Sequence, residues 1–317
     1  MRIVIVGYGE MFQALVSGVL TTKHEVVGVF RHENVLYSPL KRFIHDVFKP
    51  SNDFNFVRNL GLYDIKAKSV NSEEFREEIQ KLNADLILVG SWSERFEMQT
   101  INAPKKGCIN VHPSLLPKFR GPNPYMQVIL QDQVMTGVTF HLMDVGYDSG
   151  PILHQTAVDV LKSDSGASLR LRCCDTAKRE VRILLNKLPE RIKNPMSQKE
   201  TDATYFSHIK LQEIILNFEK ETSDEIDKKI RAFYPWYKCV IPYKNQFFEF
   251  ESYKIYNRTT TKYEPSEIAK MSDNSVFIVC ADKKVIEFVG LKIKQPCSKL
   301  LTKFYMKKVI KTETKAV

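Results

Sequence analysis

Arg2-Ile3-Val4-Ile5-Val6-Gly7-Tyr8-Gly9 opens the chain and decides its fold class. The apolar run has no helical period and ends in glycine, so it reads as a strand buried on both faces. It is too short for the core of a secretion signal, and no stretch of the chain reaches the ~18 apolar residues of a membrane span. Residues 25–30 (Glu-Val-Val-Gly-Val-Phe) have the same character, and between the two runs Met11, Leu15, Val19 and Leu20 recur at helical spacing. Asp85-Leu86-Ile87-Leu88-Val89 is a third strand, preceded by a helical pattern over 72–81. Residues 107–111 form a fourth, entered through Pro104 and Gly107. Strand and helix in alternation predict an α/β domain with a mostly parallel sheet. Residues 134–143 and 151–157 add two strands in close succession, split by Gly146 and Gly150, and a helix follows over 167–188. Gly7 and Gly9 supply two of the three glycines of a dinucleotide-binding turn. Phe12 stands at the third position, where its ring would block close helix–strand packing, so a tight turn without a dinucleotide is expected.

The composition is that of a soluble globular chain, with 317 residues, 43% apolar and 26% charged. It excludes disordered, collagen-like and disulfide-rich classes. The six cysteines (Cys108, Cys173, Cys174, Cys239, Cys280 and Cys297) form no C-x-x-C pair, so reduced buried thiols and no metal are expected. A net charge of +10 fits an anionic partner, whether nucleic acid, a phosphorylated molecule or an acidic membrane face. The expected domains are residues 1–188, a Pro- and Asn-containing linker over 189–204, and a second domain over 205–317. The second domain begins with a short helix over 222–233, for which Ser223 is the expected N-cap. Strand-like runs follow over 247–256, 275–280 and 285–293, as in a small sandwich or barrel. Eight lysines and one acid crowd residues 292–317.

The chemistry lies in Gly107-Cys108-Ile109-Asn110-Val111-His112-Pro113-Ser114-Leu115-Leu116-Pro117-Lys118-Phe119-Arg120-Gly121 and in Met143-Asp144-Val145-Gly146-Tyr147-Asp148-Ser149-Gly150. Asn110 and His112, at i and i+2, share one face at the end of a strand, where α/β sheets bind ligands. Asp148, in a glycine-rich loop, can reach back to them. An amide donor, an imidazole and a carboxylate suit acyl transfer to an amine. The amide meets the developing oxyanion, and the carboxylate orients the imidazole and raises its basicity. His141 and His154, on strand patterns, read as core or surface groups. Ser114 lacks the elbow sequence of a serine nucleophile.

The N-x-H-P-S-L-L-P block, followed by D-x-G-x-D-S-G, resembles the 10-formyltetrahydrofolate-dependent formyltransferases. The resemblance implies a Rossmann-like formyltransferase domain followed by a small OB-like β-barrel. It makes Asn110, His112 and Asp148 the catalytic trio. It places 10-formyltetrahydrofolate against Gly90, Ser91, Trp92, Ser93, Arg95 and Phe96 and against Asp144, Val145 and Gly146, without a metal. Ser114, Leu115, Leu116 and Pro117 form a turn that aims the histidine. With Arg120 and Gly121 they are the candidates for substrate contact.

Thr204-Tyr205 and Ile230-Arg231-Ala232-Phe233-Tyr234-Pro235-Trp236 resemble the start of the C-terminal domain of methionyl-tRNA formyltransferases. That implies a cytoplasmic enzyme acting on the amino group of methionyl-tRNA, with no membrane partner. Three features depart from those enzymes. Residues 31–42 lack the glycine-rich basic loop that wedges into the acceptor stem. Pro122-Asn123-Pro124-Tyr125 stands where small residues are usual. The expected glycines are missing from 292–317. A nucleotide-linked amino sugar is the alternative acceptor, and an inactive relative serving as an RNA-binding module is the alternative from another class.

Overall fold

The computed structural model of the protein describes residues 1–244, 246–272 and 274–293. Cys297 and most of the lysine-rich run over 292–317 therefore lie outside the described residues. The chain divides into two compact units, Met1–His208 and Ile209–Val317.

The first unit opens with β1 (Arg2–Gly7), α1 (Gly9–Leu20) and β2 (Glu25–Arg31). Three short helices follow: α2 (Glu33–Leu36), α3 (Pro39–Phe48) and α4 (Asn52–Asn59). Then come α5 (Glu73–Lys81), β3 (Leu86–Gly90), α6 (Met98–Ile101), β4 (Cys108–His112) and α7 (Pro124–Leu130). β5 (Met135–Leu142), β6 (Ile152–Asp159) and the long α8 (Gly166–Lys193) complete it. The six strands form one sheet in the order β2-β1-β3-β4-β5-β6. Strands β2, β1, β3 and β4 run parallel, and β5 and β6 run antiparallel at one side. The unbroken apolar runs are the central strands: Ile3, Val4, Ile5 and Val6 of β1 and Leu86, Ile87 and Leu88 of β3 have no exposed surface, because helices cover both faces of a parallel sheet.

α1 begins where a dinucleotide phosphate would sit, but the Asp53 carboxylate already occupies that end. Its two oxygens accept from the Gly9 amide at 2.7 Å and the Gln13 side-chain amide at 2.7 Å. A phosphate there would meet the like charge of Asp53 at the Gly9 amide.

Residues 31–42, which lack the family's glycine-rich basic loop, form with the residues up to 48 the end of β2 followed by α2 and α3. The reason is an inverted helix. Arg31 is fully buried and paired with Asp64 at 2.9 Å and Asp46 at 3.3 Å, and Arg42 donates to Asn34. The polar side of α3 thus faces inward, leaving Leu40, Phe43, Ile44, Val47 and Phe48 exposed.

The expected linker is also structured. α8 continues through Pro189 to Lys193, where the Arg191 guanidinium donates to the Leu153 carbonyl. Beyond it the chain is tied strand-fashion: Met196 exchanges backbone hydrogen bonds with Ile152, and Thr204 and Phe206 bond to Arg120.

The second unit carries α9 (Ser223–Phe233) and two antiparallel sheets. The first contains β7 (Ile241–Tyr243), β8 (Gln246–Glu249) and the short β13 (Lys292–Ile293). The second contains β9 (Ser252–Thr259), β10 (Ile268–Met271), β11 (Ser275–Val279) and β12 (Lys284–Val289). The run 247–256 is thus two strands, not one. Thr222, not Ser223, caps α9: its hydroxyl accepts from the Glu225 amide at 3.2 Å, and the Glu225 carboxylate accepts from the Thr222 amide at 2.8 Å. Ser223 is buried one residue further in and donates to Asp282.

Candidate active site

Asn110 and His112 project from the end of β4, as their spacing requires. The loop that brings Asp148 to them is shaped by Asp144, which accepts from the Gly146 amide and the Ser149 hydroxyl, both at 2.9 Å. Asp148 itself holds a left-handed backbone, φ +53°, a conformation that costs free energy and is held by its contacts. Its Oδ1 accepts from Asn110 Nδ2 at 3.2 Å and lies 3.5 Å from His112 Nδ1. Its Oδ2 accepts from the Gly121 amide at 2.9 Å. Burial alone would raise the Asp148 carboxyl. The His112 charge first, then the nearby His141 ring and the Gly121 amide, outweigh it and hold the group well below the usual carboxylate range.

His112 Nε2 donates to the Phe119 carbonyl at 2.8 Å; a carbonyl can only accept, so this nitrogen carries a proton, and the second proton of the charged ring, on Nδ1, points at Asp148. The turn that provides Phe119 is firmly built. The Ser114 hydroxyl donates to the Lys118 carbonyl at 2.7 Å, and the Ser114 carbonyl accepts from Thr139 at 2.6 Å. Leu116 is buried and its amide donates to Thr139. Gly121, at φ +99°, allows the chain to pass Phe206, whose carbonyl oxygen would lie 2.2 Å from an added Cβ. Arg120 does not point into the cleft. Its guanidinium is held by Gln198 at 2.9 Å and Glu200 at 2.8 Å, and its side chain is only 9% exposed.

The loop after β3 is anchored from the other side. Asn71 donates to the Arg95 carbonyl at 2.7 Å, and the Glu94 carboxylate accepts from the Val70 amide at 3.2 Å. Trp92, Ser93, Glu94, Arg95 and Phe96 meet Met143, Asp144, Gly146, Tyr147 and Asp148 around a cavity of about 80 Å³ whose floor is Asn110 and His141. The Arg95 guanidinium closes it, donating to the Val145 carbonyl and lying 5.5 Å from the centre of the Tyr147 ring. Trp92 Nε1 is buried without a hydrogen-bond partner. Gly90 is buried beneath this loop instead of facing the cavity; an added Cβ would meet Leu15 of α1 at 2.7 Å.

Sequence reasoning set His141 aside, and it did not single out Gln198. His141 lies in the cavity floor, its Nε2 3.1 Å from Asn110 Nδ2 and 3.7 Å from Asp148 Oδ1. Gln198, from the expected linker, donates to the carbonyls of Asp148 at 2.8 Å and Gly150 at 2.7 Å. The signal for His141 was strand register: β4 and β5 pair antiparallel, which sets Asn110 opposite His141. Nothing local marked Gln198.

A larger cavity, about 390 Å³, lies in the second unit among mainly apolar side chains including Leu216, Phe218, Ile241, Phe248 and Ile278; it is not where the trio converges. Among the described residues no group of His, Cys, Asp or Glu is arranged to hold a metal, and no helix is long and apolar enough to cross a membrane.

Residues 1–187 match the family described as formyl transferase, and residues 208–302 match the formyl transferase C-terminal domain. A methionyl-tRNA formyltransferase of Ehrlichia ruminantium is 31% identical over 236 residues, 74% of this chain and 75% of that protein. That of Kosmotoga olearia is 27% identical over 297 residues, 92% and 94% of the two chains. Two solved structures share the fold. An N-formyltransferase from Helicobacter canadensis, in complex with folinic acid and dTDP-3-aminofucose, matches with a TM-score of 0.65 at 18% identity, over 92% of this chain and all 100% of that one. The methionyl-tRNA formyltransferase from Clostridium thermocellum matches with a TM-score of 0.59 at 15% identity, over 93% and 100% of the two chains.

Proposed function

The chain belongs to the formyl transferase family, and from that premise we propose that it passes the formyl group of 10-formyltetrahydrofolate to the amino group of methionyl-tRNA. The observation that supports the reading is the convergence of Asn110, His112 and Asp148, of which Asn110 and Asp148 line a cavity flanked by the two loops expected to hold the donor. Those loops suit a folate. Trp92 offers a flat apolar face with an unanswered indole N–H, and the Tyr147 ring and Arg95 stand opposite. The donor enters when Arg95 releases the Val145 carbonyl.

The acceptor's neutral amine attacks the formyl carbon. The new C–N bond forms first, as the carbonyl double bond opens to a tetrahedral intermediate, and the bond from that carbon to the folate nitrogen breaks when the intermediate collapses. Asn110 donates an N–H to the carbonyl oxygen as it becomes an oxyanion, and the His112 charge stabilises the same intermediate. Asp148 takes the proton that the amine sheds, which then passes to the departing folate nitrogen.

The tRNA acceptor rests on four relatives named methionyl-tRNA formyltransferase that match along most of this chain. It rests also on α3, which begins within the place of the family's acceptor-stem loop (31–42) and exposes Leu40, Phe43, Ile44, Val47 and Phe48 beside Lys41 and Lys49. An apolar wedge with basic flanks can serve an RNA end by stacking and phosphate contact. The full-length likeness to sugar N-formyltransferases keeps a nucleotide-linked amino sugar as the second reading. The test offers the purified protein 10-formyltetrahydrofolate with charged initiator tRNA, and separately with nucleotide-linked amino sugars. Formylation of the tRNA alone is expected; formylation of a sugar but not the tRNA overturns the first reading.

A further inference from the structure

We propose that His141 is a positioning residue that fixes which end of the Asn110 amide faces the formyl oxygen. The inference rests on the formyl-transfer reading of the trio.

His141 Nδ1 lies 2.9 Å from the Leu142 carbonyl. A backbone carbonyl can only accept, so Nδ1 carries the ring proton and Nε2 presents a lone pair. Asn110 Nδ2 lies 3.1 Å from that lone pair and 3.2 Å from Asp148 Oδ1. Both neighbours of the amide nitrogen are therefore acceptors, and both of its protons are spoken for. Turning the amide over would set its oxygen against the carboxylate and the imidazole lone pair together. His141 is 2% exposed and belongs to β5, whose pairing with β4 sets it opposite Asn110. Its position is thus a property of the sheet and not of a loop.

The consequence appears during the reaction. Asp148 is shared among Asn110, the Gly121 amide and His112, and it must turn its charge to the amine's proton. Once it does, the only acceptor at the amide nitrogen named above that takes no part in the chemistry is His141 Nε2. Holding one N–H there leaves the other free for the formyl oxygen. Without it the amide is free to present its own oxygen, which repels the oxyanion.

The test is a set of three variants, each checked for folding by thermal melting, with kcat and the KM of donor and acceptor measured. His141→Leu removes the acceptor. His141→Gln puts an amide oxygen within reach of the same N–H. His141→Asn keeps the polarity on a shorter side chain. The expected result is a kcat about a hundredfold lower for His141→Leu and His141→Asn with both KM values unchanged, and substantial recovery in His141→Gln. Near-normal kcat in a folded His141→Leu or His141→Asn overturns the proposal. Equal loss in all three also overturns it, since that pattern belongs to a proton carrier. Asn110→Ala is run alongside: if it retains turnover, the reading of the trio fails rather than the role of His141.

Discussion

Replacing Asp148 by asparagine keeps the shape of the side chain and removes its charge, so it isolates what the carboxylate contributes. Oδ1 lies 3.5 Å from His112 Nδ1 and 3.2 Å from Asn110 Nδ2, and Oδ2 lies 2.9 Å from the Gly121 nitrogen. A full charge pair at that separation, with an effective dielectric of about 20, amounts to about 5 kcal/mol. The side chain is only 15% exposed, so solvent screens little of this. The asparagine oxygen returns part of it as a dipole, which leaves a loss of about 3–4 kcal/mol, or on the order of a hundredfold to a thousandfold in kcat. The new NH₂ group must also face Asn110 or Gly121, both donors, so one of them loses its acceptor. The assay is single-turnover formyl transfer at saturating donor, with thermal melting to establish the fold. A folded Asp148→Asn protein whose kcat lies within about threefold of wild type refutes the electrostatic reasoning. The same variant has a signature in stability. A carboxyl held below its ordinary range stabilises the fold only where the unfolded carboxyl is ionised, above about pH 4, and that contribution is lost as the pH falls towards the folded value. The stability gap between wild type and variant should therefore be flat above about pH 5 and shrink below about pH 4.

Gly121→Ala should destabilise the protein by about 1–3 kcal/mol and lower kcat, because the strained backbone and the Phe206 carbonyl force the loop to move and take the Gly121 amide from Asp148; a melting temperature equal to wild type would contradict this. Arg95→Ala should open the cavity and change the KM for 10-formyltetrahydrofolate more than kcat, as steady-state kinetics with varied donor will tell. Joint replacement of Phe43 and Phe48 by glutamate should leave the folding stability within about 0.5 kcal/mol of wild type, as for exposed positions, while abolishing formylation of tRNA; full activity of that variant would remove α3 from acceptor recognition.

The parallel core was legible because its central strands β1 and β3 are buried on both faces and so carry unbroken apolar runs. Asn110, His112 and Asp148 were legible because a strand's two-residue period and a glycine-marked loop are local facts. α3 was not legible, since its Asp46 and Arg42 pair with the buried Arg31 and Asn34 and invert the usual pattern. The segment after Pro189 was misread as linker, since the hydrogen bonds that fix it come from Leu153, Ile152 and Arg120, far away in the chain.

By itself, then, the sequence determined the architecture of the first unit, the family and the three residues at its centre, because these depend on periodicity and spacing along the chain. Only the tertiary structure decided the rest: that Arg120 is tied to Gln198 and Glu200, that Gln198 holds the Asp148 loop, and that His141 stands opposite Asn110. Those are cross-chain pairings, set by strand register and by where a distant segment docks, and a hydrogen bond between remote residues leaves no period in the sequence to read.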